Sequence, residues 1–244
     1  MPSALKGDKQ TAEMTAHLLS PQIGNRDLFP TLKAQAYLNY AGIAPPSLPV
    51  TEAVVEMLQM YAADGSGAIF HYRKVISGLR NRLGTLLGVT SDNIAFTSNT
   101  SQGVFNIALC LPWRPRATII CFNGEFPANV TPWQRAAERH DLALKLLPLD
   151  VYASNEDEAL NALAKVLANE DVQLVAVSSV QFQTGLRMPI EAMTRLCHRH
   201  GAEIFVDAIQ SVGAIPTDLG ALGVDYASGG GHKWLMGVEG TGWL

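Results

Sequence analysis

The sequence predicts an α/β domain built on a mostly parallel sheet with helices on both faces. Short apolar segments alternate with amphipathic helical segments along most of the chain, which is typical of βαβ units. Several apolar segments show no polar alternation, as expected for strands that are buried on both faces. The 244 residues, 48% of them hydrophobic and 16% charged, are enough for one sizeable domain of this class.

The N-terminal part does not yet show this alternation. Residues 1–36 mix charged and small residues, and we expect a leader or arm there. Residues 37–49, YLNYAGIAPPSLP, predict a short apolar strand that continues into an ordered, proline-rich loop. Two helices follow, over residues 51–63 with Thr51 as the cap and over residues 69–87, with a Gly-Ser-Gly break between them.

From residue 94 onward, strands and helices alternate. The predicted strands cover residues 94–97, 117–122, 142–149, 174–180, 203–207, 225–228 and 240–244. The predicted helices cover residues 101–111, 132–139, 156–168 and 190–200. Because the sequence stops inside the last predicted strand, we expect a fragment of a longer protein.

Composition and charge exclude several classes of function. The net charge of −4 gives no basic footprint, so we expect neither nucleic acid nor an anionic membrane surface as a partner. The N-terminal region lacks the apolar core of a signal peptide, and no apolar run approaches the about 18 residues of a membrane helix. Cys110, Cys121 and Cys197 are too few, and odd in number, for a disulfide framework. We therefore expect a soluble protein of the cytoplasm.

A first polar segment, TSNTSQG at residues 97–103, follows a predicted strand and opens a helix. Hydroxyl groups and free backbone amides at a helix N-terminus form a phosphate-binding site. The same residue types also form plain helix caps, so both interpretations stand at this point.

A second polar residue, Asp207, ends the predicted strand that contains Ile204, Phe205 and Val206. A carboxylate after three apolar residues is buried and needs a partner, and a protonated ring nitrogen would be one. The alternative is an aspartate that caps the following turn.

The third segment, SGGGHKW, contains Ser228, three glycines, His232, Lys233 and Trp234. The glycines allow unusual backbone angles and close approach of a ligand. A lysine in a partly dry pocket has a lowered pKa, and its neutral amine attacks aldehydes. The alternative is a glycine-rich turn with a solvated lysine. Because Trp234 follows the lysine, the segment is not a Walker A loop.

A strand-end Asp207, then Gln210, then a glycine-rich loop that ends in His-Lys form a demanding combination. It resembles the class V aminotransferase group of fold-type I enzymes that depend on pyridoxal 5′-phosphate (PLP). This group includes cysteine desulfurases, isopenicillin-epimerase-like proteins and kynureninases. The resemblance covers about residues 37–244 and rests on the segments YLNYAGIAPPS, FTSNTSQGVFNIAL, FNGEFPANVTPWQ, SSVQFQTGLRMPI, FVDAIQSVGAIPTDL and GGGHKWLMGVEGTGWL.

The resemblance implies a three-layer large domain over residues 37–244 with a seven-stranded, mostly parallel sheet. It implies a homodimer with the active site at the dimer interface, closed by a smaller C-terminal domain that we expect this chain to lack. It also implies an enzyme that acts on an amino acid or related amine through a Schiff base between PLP and Lys233. The alternative is a truncated, non-catalytic protein that only binds the cofactor or dimerises.

The resemblance also implies roles for single residues. Lys233 forms the Schiff base and shuttles a proton, and Asp207 pairs with the pyridinium nitrogen. Gln210 lies near the phenolic oxygen, and Phe126 stacks on the ring. The other implied contacts are Thr100 and Ser101 to the phosphate, His232 and Ser228 to the cofactor, and Asn39, Tyr40 and Ala41 along the substrate mouth.

Two departures from the desulfurases favour the kynureninase and epimerase-like branch. Desulfurases place a phosphate-binding serine where this chain has Gly230, and they stack a histidine where Phe126 fits here. No metal site is expected, because Cys197, His198 and His200 lie at a predicted helix end without a second ligand pair at zinc spacing.

Overall fold

The computed structural model describes residues 24–244. The predicted leader or arm, residues 1–36, therefore lies mostly outside the described residues. Its described end contains a single 3₁₀ turn, Arg26–Leu28, and the Arg26 guanidinium donates to the Ala34 carbonyl oxygen at 2.8 Å. Among residues 24–244, no helix has the length and apolar character that crossing a membrane requires.

Two helices form an N-terminal hairpin, α1 (Leu48–Asp64) and α2 (Ala68–Leu87), joined by a 3₁₀ turn at Gly65–Gly67. Helix α1 begins before the predicted Thr51, because Pro49 is favourable in a first helical turn. The Thr51 hydroxyl does not cap the helix and instead donates to the Ser47 carbonyl oxygen at 3.1 Å.

The strand predicted at the start of residues 37–49 is wrong. Leu38 is 89% exposed and has no neighbouring strand. The Tyr37 hydroxyl donates to the carbonyl oxygen of Ile43 at 2.6 Å, and the Gly42 amide donates to that of Asn39 at 3.1 Å. These local hydrogen bonds turn the segment back on itself, so it is a loop.

Seven strands form one sheet within the described residues, in the order β1-β7-β6-β5-β4-β2-β3. The strands are β1 (Phe96–Thr97), β2 (Thr118–Asn123), β3 (Ala143–Pro148), β4 (Val172–Ser178), β5 (Glu203–Asp207), β6 (Tyr226–Gly230) and β7 (Gly242–Trp243). Strands β2 to β6 pair in parallel, whereas β7 pairs antiparallel with both β1 and β6. The prediction of a mostly parallel, seven-stranded sheet is confirmed.

Six helices follow the hairpin in chain order. They are α3 (Thr100–Cys110), α4 (Thr131–His140), α5 (Val151–Ser154), α6 (Glu156–Asn169), α7 (Ile190–Arg199) and α8 (Leu219–Leu222). The sequence predicted α3, α4, α6 and α7 to within two residues, and it missed the two single-turn helices α5 and α8.

Helices pack on both faces of the sheet. On one face, Ile119 and Cys121 of β2 contact a cluster with Val104 of α3 and Trp133 of α4. On the other face, Ile120 and Phe122 belong to a cluster with Leu163 of α6 and Met193 of α7. This alternation along β2 creates three layers, and all seven residues of β4 are buried between them.

Candidate functional site

The parallel strands end at one edge of the sheet, and this edge carries the polar residues predicted for the site. Ser178, the last residue of β4, lies in register with Asp207 at the end of β5, and Asp207 lies in register with Ser228 of β6. The loops that leave these strands carry Gln181, Gln210 and Lys233. In open parallel sheets, ligands bind at this carboxyl edge.

Asp207 is a buried carboxyl group, with 3% of its surface exposed. Its Oδ1 accepts a hydrogen bond from the Ile209 amide at 3.0 Å. Within residues 24–244, no basic side chain forms an ion pair with it. The pKa of Asp207 is raised to about 7, mainly by burial and also by the nearby charge of Glu125, although the Ile209 amide and the charge of Lys233 oppose this rise. The site thus holds a buried acid without a basic side chain at ion-pair distance.

Lys233 is half-buried in the loop after β6, and its Nζ lies 5.8 Å from the centroid of the Phe126 ring. Burial lowers the pKa of Lys233, and the attraction of Asp207 partly opposes this effect. A lowered pKa increases the share of neutral amine, which is the nucleophilic form. Burial also lowers the pKa of His232, and its Nδ1 is buried without a hydrogen-bond partner.

The loop that carries Lys233 is closed by backbone hydrogen bonds. The Gly231 amide donates to the Thr241 carbonyl oxygen at 2.9 Å, and the Gly237 amide donates to that of Gly231 at 2.7 Å. A Cβ atom at Gly231 would lie 2.3 Å from Oγ1 of Thr241, so the tight closure requires glycine. The closed loop holds Lys233 at the carboxyl edge.

The N-terminal loop lies against this lysine loop. The Ala44 amide donates to the His232 carbonyl oxygen at 2.8 Å. Gln210 bridges the two loops, because its Nε2 donates to the Ala41 carbonyl oxygen at 3.0 Å and its Oε1 accepts from Trp234 Nε1 at 2.8 Å. The Tyr40 ring stacks on Trp234 at 5.7 Å. The predicted substrate residues Asn39, Tyr40 and Ala41 are thus held beside Lys233 by contacts that the sequence does not reveal.

The N-terminus of α3 combines a cap with an unused hydroxyl group. Asn99 Oδ1 accepts from the Gln102 amide at 2.9 Å, and Gln102 Oε1 accepts from the Ser98 amide at 2.7 Å. The cap interpretation therefore holds for Asn99 and Gln102. The Thr100 Oγ1 atom, in contrast, is buried without a hydrogen-bond partner, and the neighbouring Ser101 is half-buried. A buried hydroxyl group without a partner at a helix N-terminus is suited to an anion.

Ser228 was predicted to contact the cofactor, but its side chain is surrounded by protein. Its side chain is fully buried, and its hydroxyl lies 2.8 Å from the Trp243 carbonyl oxygen and 3.2 Å from that of Thr100. A Cβ atom at Gly103 would lie 2.1 Å from Ser228 Oγ, so α3 approaches the serine closely. The hydroxyl links the start of α3 to β7, and this geometry does not support a direct contact with a cofactor.

Phe126 lies in the turn after β2 and is 45% exposed. Its ring meets the Phe182 ring edge-on at 5.2 Å, and Lys233 lies above it. The preceding Glu125 is buried and hydrogen-bonded to Ser178, and neither residue was predicted from the sequence. The one available signal was an acidic residue in the short turn that follows the apolar part of β2, two residues after Asn123.

The cysteine and histidine segment at the end of α7 lies away from this edge. His198 Nε2 is 3.0 Å from Asp225 Oδ2, so that imidazole already has a partner. In the part of the chain that the structure describes, no group of three or more metal-binding side chains occurs.

Comparison with known proteins agrees with this geometry. The profile of the Aminotransferase class-V family matches residues 36–244. A probable cysteine desulfurase of Methanothermobacter thermautotrophicus is 30% identical over 224 residues, which cover 90% of this chain and 54% of that protein. The cysteine desulfurase of Escherichia coli is 30% identical over 219 residues, which cover 86% of this chain and 52% of that enzyme.

Solved structures are similar as well. A mutant of the protein C-DES with glycine covalently linked to its PLP cofactor has a TM-score of 0.82 at 27% identity, over 90% of this chain and 58% of that one. The cystine C–S lyase C-DES with its reaction product cysteine persulfide has a TM-score of 0.80 at 28% identity, over 88% of this chain and 58% of that one. This chain spans about half the length of the curated relatives it matches. It belongs to the class V aminotransferase family, as its motifs predicted.

Proposed function

We propose that this chain forms the cofactor-binding part of a PLP-dependent enzyme that acts on an amino acid or related amine. The observation that carries the proposal is the position of Lys233. This half-buried lysine lies at the end of a closed glycine-rich loop, beside Asp207, a buried carboxyl group without a basic partner, and above the Phe126 ring. When bound, PLP supplies an electron sink for bonds that break at the substrate Cα.

The residues present fit the phosphate, the ring nitrogen, the ring face and the aldehyde of PLP. The unpartnered Thr100 hydroxyl and the N-terminus of α3, with Ser101, suit the phosphate. Asp207 suits the ring nitrogen, and Phe126 offers an exposed aromatic face to the ring. Lys233 offers an amine with a lowered pKa to the aldehyde. The buried Nδ1 of His232 is a further polar atom that has no hydrogen-bond partner among the described residues.

Asp207 would hold the proton on the ring nitrogen. Burial is the main reason that its pKa is raised to about 7, so the carboxyl group is partly neutral in the free protein. A protonated nitrogen beside it would favour the charged carboxylate and lower that pKa. The ion pair would then keep the ring cationic without solvent.

Lys233 would act twice. Its amine would hold the cofactor covalently, and after release by the substrate amine it would accept and return a proton at the substrate Cα. Burial supports both roles, since a lysine with an ordinary pKa would be almost entirely protonated at neutral pH.

The amino-acid substrate would enter along the loop of Asn39, Tyr40 and Ala41. The Tyr40–Trp234 stack and the Gln210 bridge fix this loop beside Lys233. The relatives named above act on cysteine or cystine, whereas Gly230 and Phe126 favour the kynureninase and epimerase-like branch. The substrate panel of the test therefore includes cysteine, cystine, kynurenine and simple amino acids.

A homodimer is part of the proposal. Within the described residues, α1 buries none of its side chains, and the hairpin exposes Val55, Leu58, Ile69, Phe70, Val75, Ile76 and Leu79. An apolar surface of this kind is typical of a protein interface, and we assign it to a second copy of the chain. The three free cysteines support a cytoplasmic location.

The test is a titration of the purified protein with PLP. We expect a visible absorption band that borohydride bleaches, and we expect Lys233→Ala to abolish it. Lys165→Ala, which removes an exposed lysine of α6, should leave the band unchanged. A wild-type protein without the band, or the same band in Lys233→Ala, would overturn the proposal.

The protein that carries the band is then mixed with the substrate panel. A spectral change with one amino acid identifies the substrate class. No change with any amine would contradict catalysis by this chain and would favour a protein that only binds the cofactor or dimerises.

A further inference from the structure

The turn that carries Phe126 is attached to the end of β4 through Glu125. This side chain is only 8% exposed, and the proposed cofactor contacts do not use it. Its Oε1 accepts from the Ser178 amide at 2.7 Å, and its Oε2 accepts from the Ser178 hydroxyl. Because β2 and β4 are neighbours in the sheet, the two strand ends are close enough for both hydrogen bonds. We call this pair of Glu125–Ser178 hydrogen bonds the fork.

A second attachment holds the same turn from the loop after β4. Gln181 Nε2 donates to the Gly124 carbonyl oxygen at 2.6 Å. Gln181 Oε1 accepts from the amides of Gln183 and Thr184, each at 2.7 Å, so the glutamine is itself fixed. Phe182 of this loop meets Phe126 edge-on. The turn is thus fastened on both sides of Glu125.

The fork requires a carboxylate. Burial raises the pKa of Glu125, and the two donors of Ser178 oppose this rise only in part by favouring the charged form. A carboxylate offers two acceptor oxygens, whereas the amide of glutamine offers one oxygen and one NH₂ group. The oxygen of a glutamine at this position would accept one of the two hydrogen bonds from Ser178. Its NH₂ group would then face the second Ser178 donor, and no hydrogen bond would form there. Neither Ser178 bond of Glu125 reaches the proposed cofactor contacts. Apart from the effect of its charge on the pKa of Asp207, the contribution of this residue is therefore to the position of its neighbour.

We infer that Glu125 is a positioning residue that fixes the Phe126 ring over the ring of the bound cofactor. The inference rests on the proposed function, because the role of Phe126 as the stacking residue belongs to that proposal. Phe126 is 45% exposed, and its aromatic contact within the chain is the edge of Phe182. Without the fork, the turn keeps the Gln181 bond to Gly124 and the Asn129 amide bond to the Phe126 carbonyl oxygen, but it loses its attachment at Glu125. The Phe126 ring is then less firmly oriented toward Lys233.

The experiment compares visible circular dichroism of the PLP-loaded wild type with Glu125→Gln, Ser178→Ala and the double variant. Circular dichroism of the cofactor band reports how the protein orients the ring. We expect Glu125→Gln to keep the absorption band, lose most of its dichroism and weaken PLP binding about tenfold. Ser178→Ala, which keeps the backbone bond to Glu125, should lose less.

The double variant tests the fork itself. Without the Ser178 hydroxyl, the NH₂ group of the glutamine no longer faces a competing donor, and its oxygen still accepts from the backbone amide. We expect the double variant to recover part of the dichroism that Glu125→Gln loses. Glu138→Gln, an exposed acid in α4 that pairs with Arg135, is the matched control and should equal the wild type.

The outcomes separate the two claims. A wild type without the absorption band overturns the proposed function and this inference with it. A normal band with unchanged dichroism in Glu125→Gln overturns the inference alone. If Glu125→Gln fails to fold, unchanged dichroism in Ser178→Ala, whose fold is checked by its far-ultraviolet spectrum, overturns it equally.

Discussion

The carboxyl edge of the sheet and the α1–α2 hairpin bury their side chains in opposite ways. At the edge, polar groups such as Asp207 and Gln210 are buried, and neighbouring strands and loops hold them. In the hairpin, apolar groups are exposed, with Phe70 at 70% and Leu58 at 58%. The folding of this chain alone therefore accounts for the position of the site residues, whereas the hairpin leaves an apolar surface exposed, which we propose that a second copy covers.

The largest expected difference between the two regions is in packing. Phe205 of β5 is fully buried against Trp133, with ring centroids 5.2 Å apart, whereas Phe70 of α2 is exposed. Phe205→Ala should lower the free energy of unfolding by about 3–5 kcal/mol, because it leaves a cavity in the core. Phe70→Ala should change the free energy of unfolding of the single chain by less than about 0.5 kcal/mol. Urea denaturation of the two variants measures the difference. Equal losses in the free energy of unfolding would contradict the contrast between a buried edge and an exposed hairpin.

The second expected effect is the pH dependence of the folding stability that Asp207 causes at the carboxyl edge. Because the pKa of Asp207 rises from 3.8 to about 7, its neutral form stabilises the folded protein fully below the lower value and loses this effect as the pH rises through the upper one. Asp207→Asn cannot titrate and keeps an oxygen for the Ile209 amide.

Free of PLP, the Asp207→Asn variant should therefore match the wild type at about pH 4 and exceed its stability by roughly 2–4 kcal/mol at about pH 8. Denaturation across this range checks the sign. A wild type that gains stability relative to the variant as the pH rises would mean that Asp207 has a partner that the structure lacks.

The smallest expected effect concerns the exposed hairpin. Leu58→Glu should leave the stability of the single chain within about 0.5 kcal/mol. It should weaken self-association about tenfold or more, because a charge replaces an apolar side chain at the proposed interface. Sedimentation measures the association, and Leu146→Glu, at an exposed leucine of β3, is the control. Unchanged association in Leu58→Glu would mean that this face does not contact a second copy.

The sequence predicted the parts of the molecule that local patterns determine. The apolar runs 174–177 in β4 and 204–206 in β5 indicated the parallel sheet, and Asp207 was recognisable as a polar residue after apolar ones. The strand expected near Leu38 failed because an apolar residue forms a strand only where a neighbouring strand is available to pair with it.

The residues that the sequence did not predict depend on contacts between distant segments. Glu125 is buried only because β2 lies beside β4, which brings Ser178 within hydrogen-bond distance. The direction of the Ser228 hydroxyl is set by β7 and the start of α3, far from it in sequence. Such contacts follow from strand order and register, which single-sequence patterns do not specify.

The central claim is that the carboxyl edge of this chain binds PLP through Lys233. The most direct measurement is to load the protein with PLP, reduce it with borohydride, digest it and locate the phosphopyridoxyl group by mass spectrometry. We predict one modified peptide that carries the group on Lys233, since burial favours the neutral amine there. Modification at exposed lysines such as Lys74 without Lys233, or no modification, would contradict the claim.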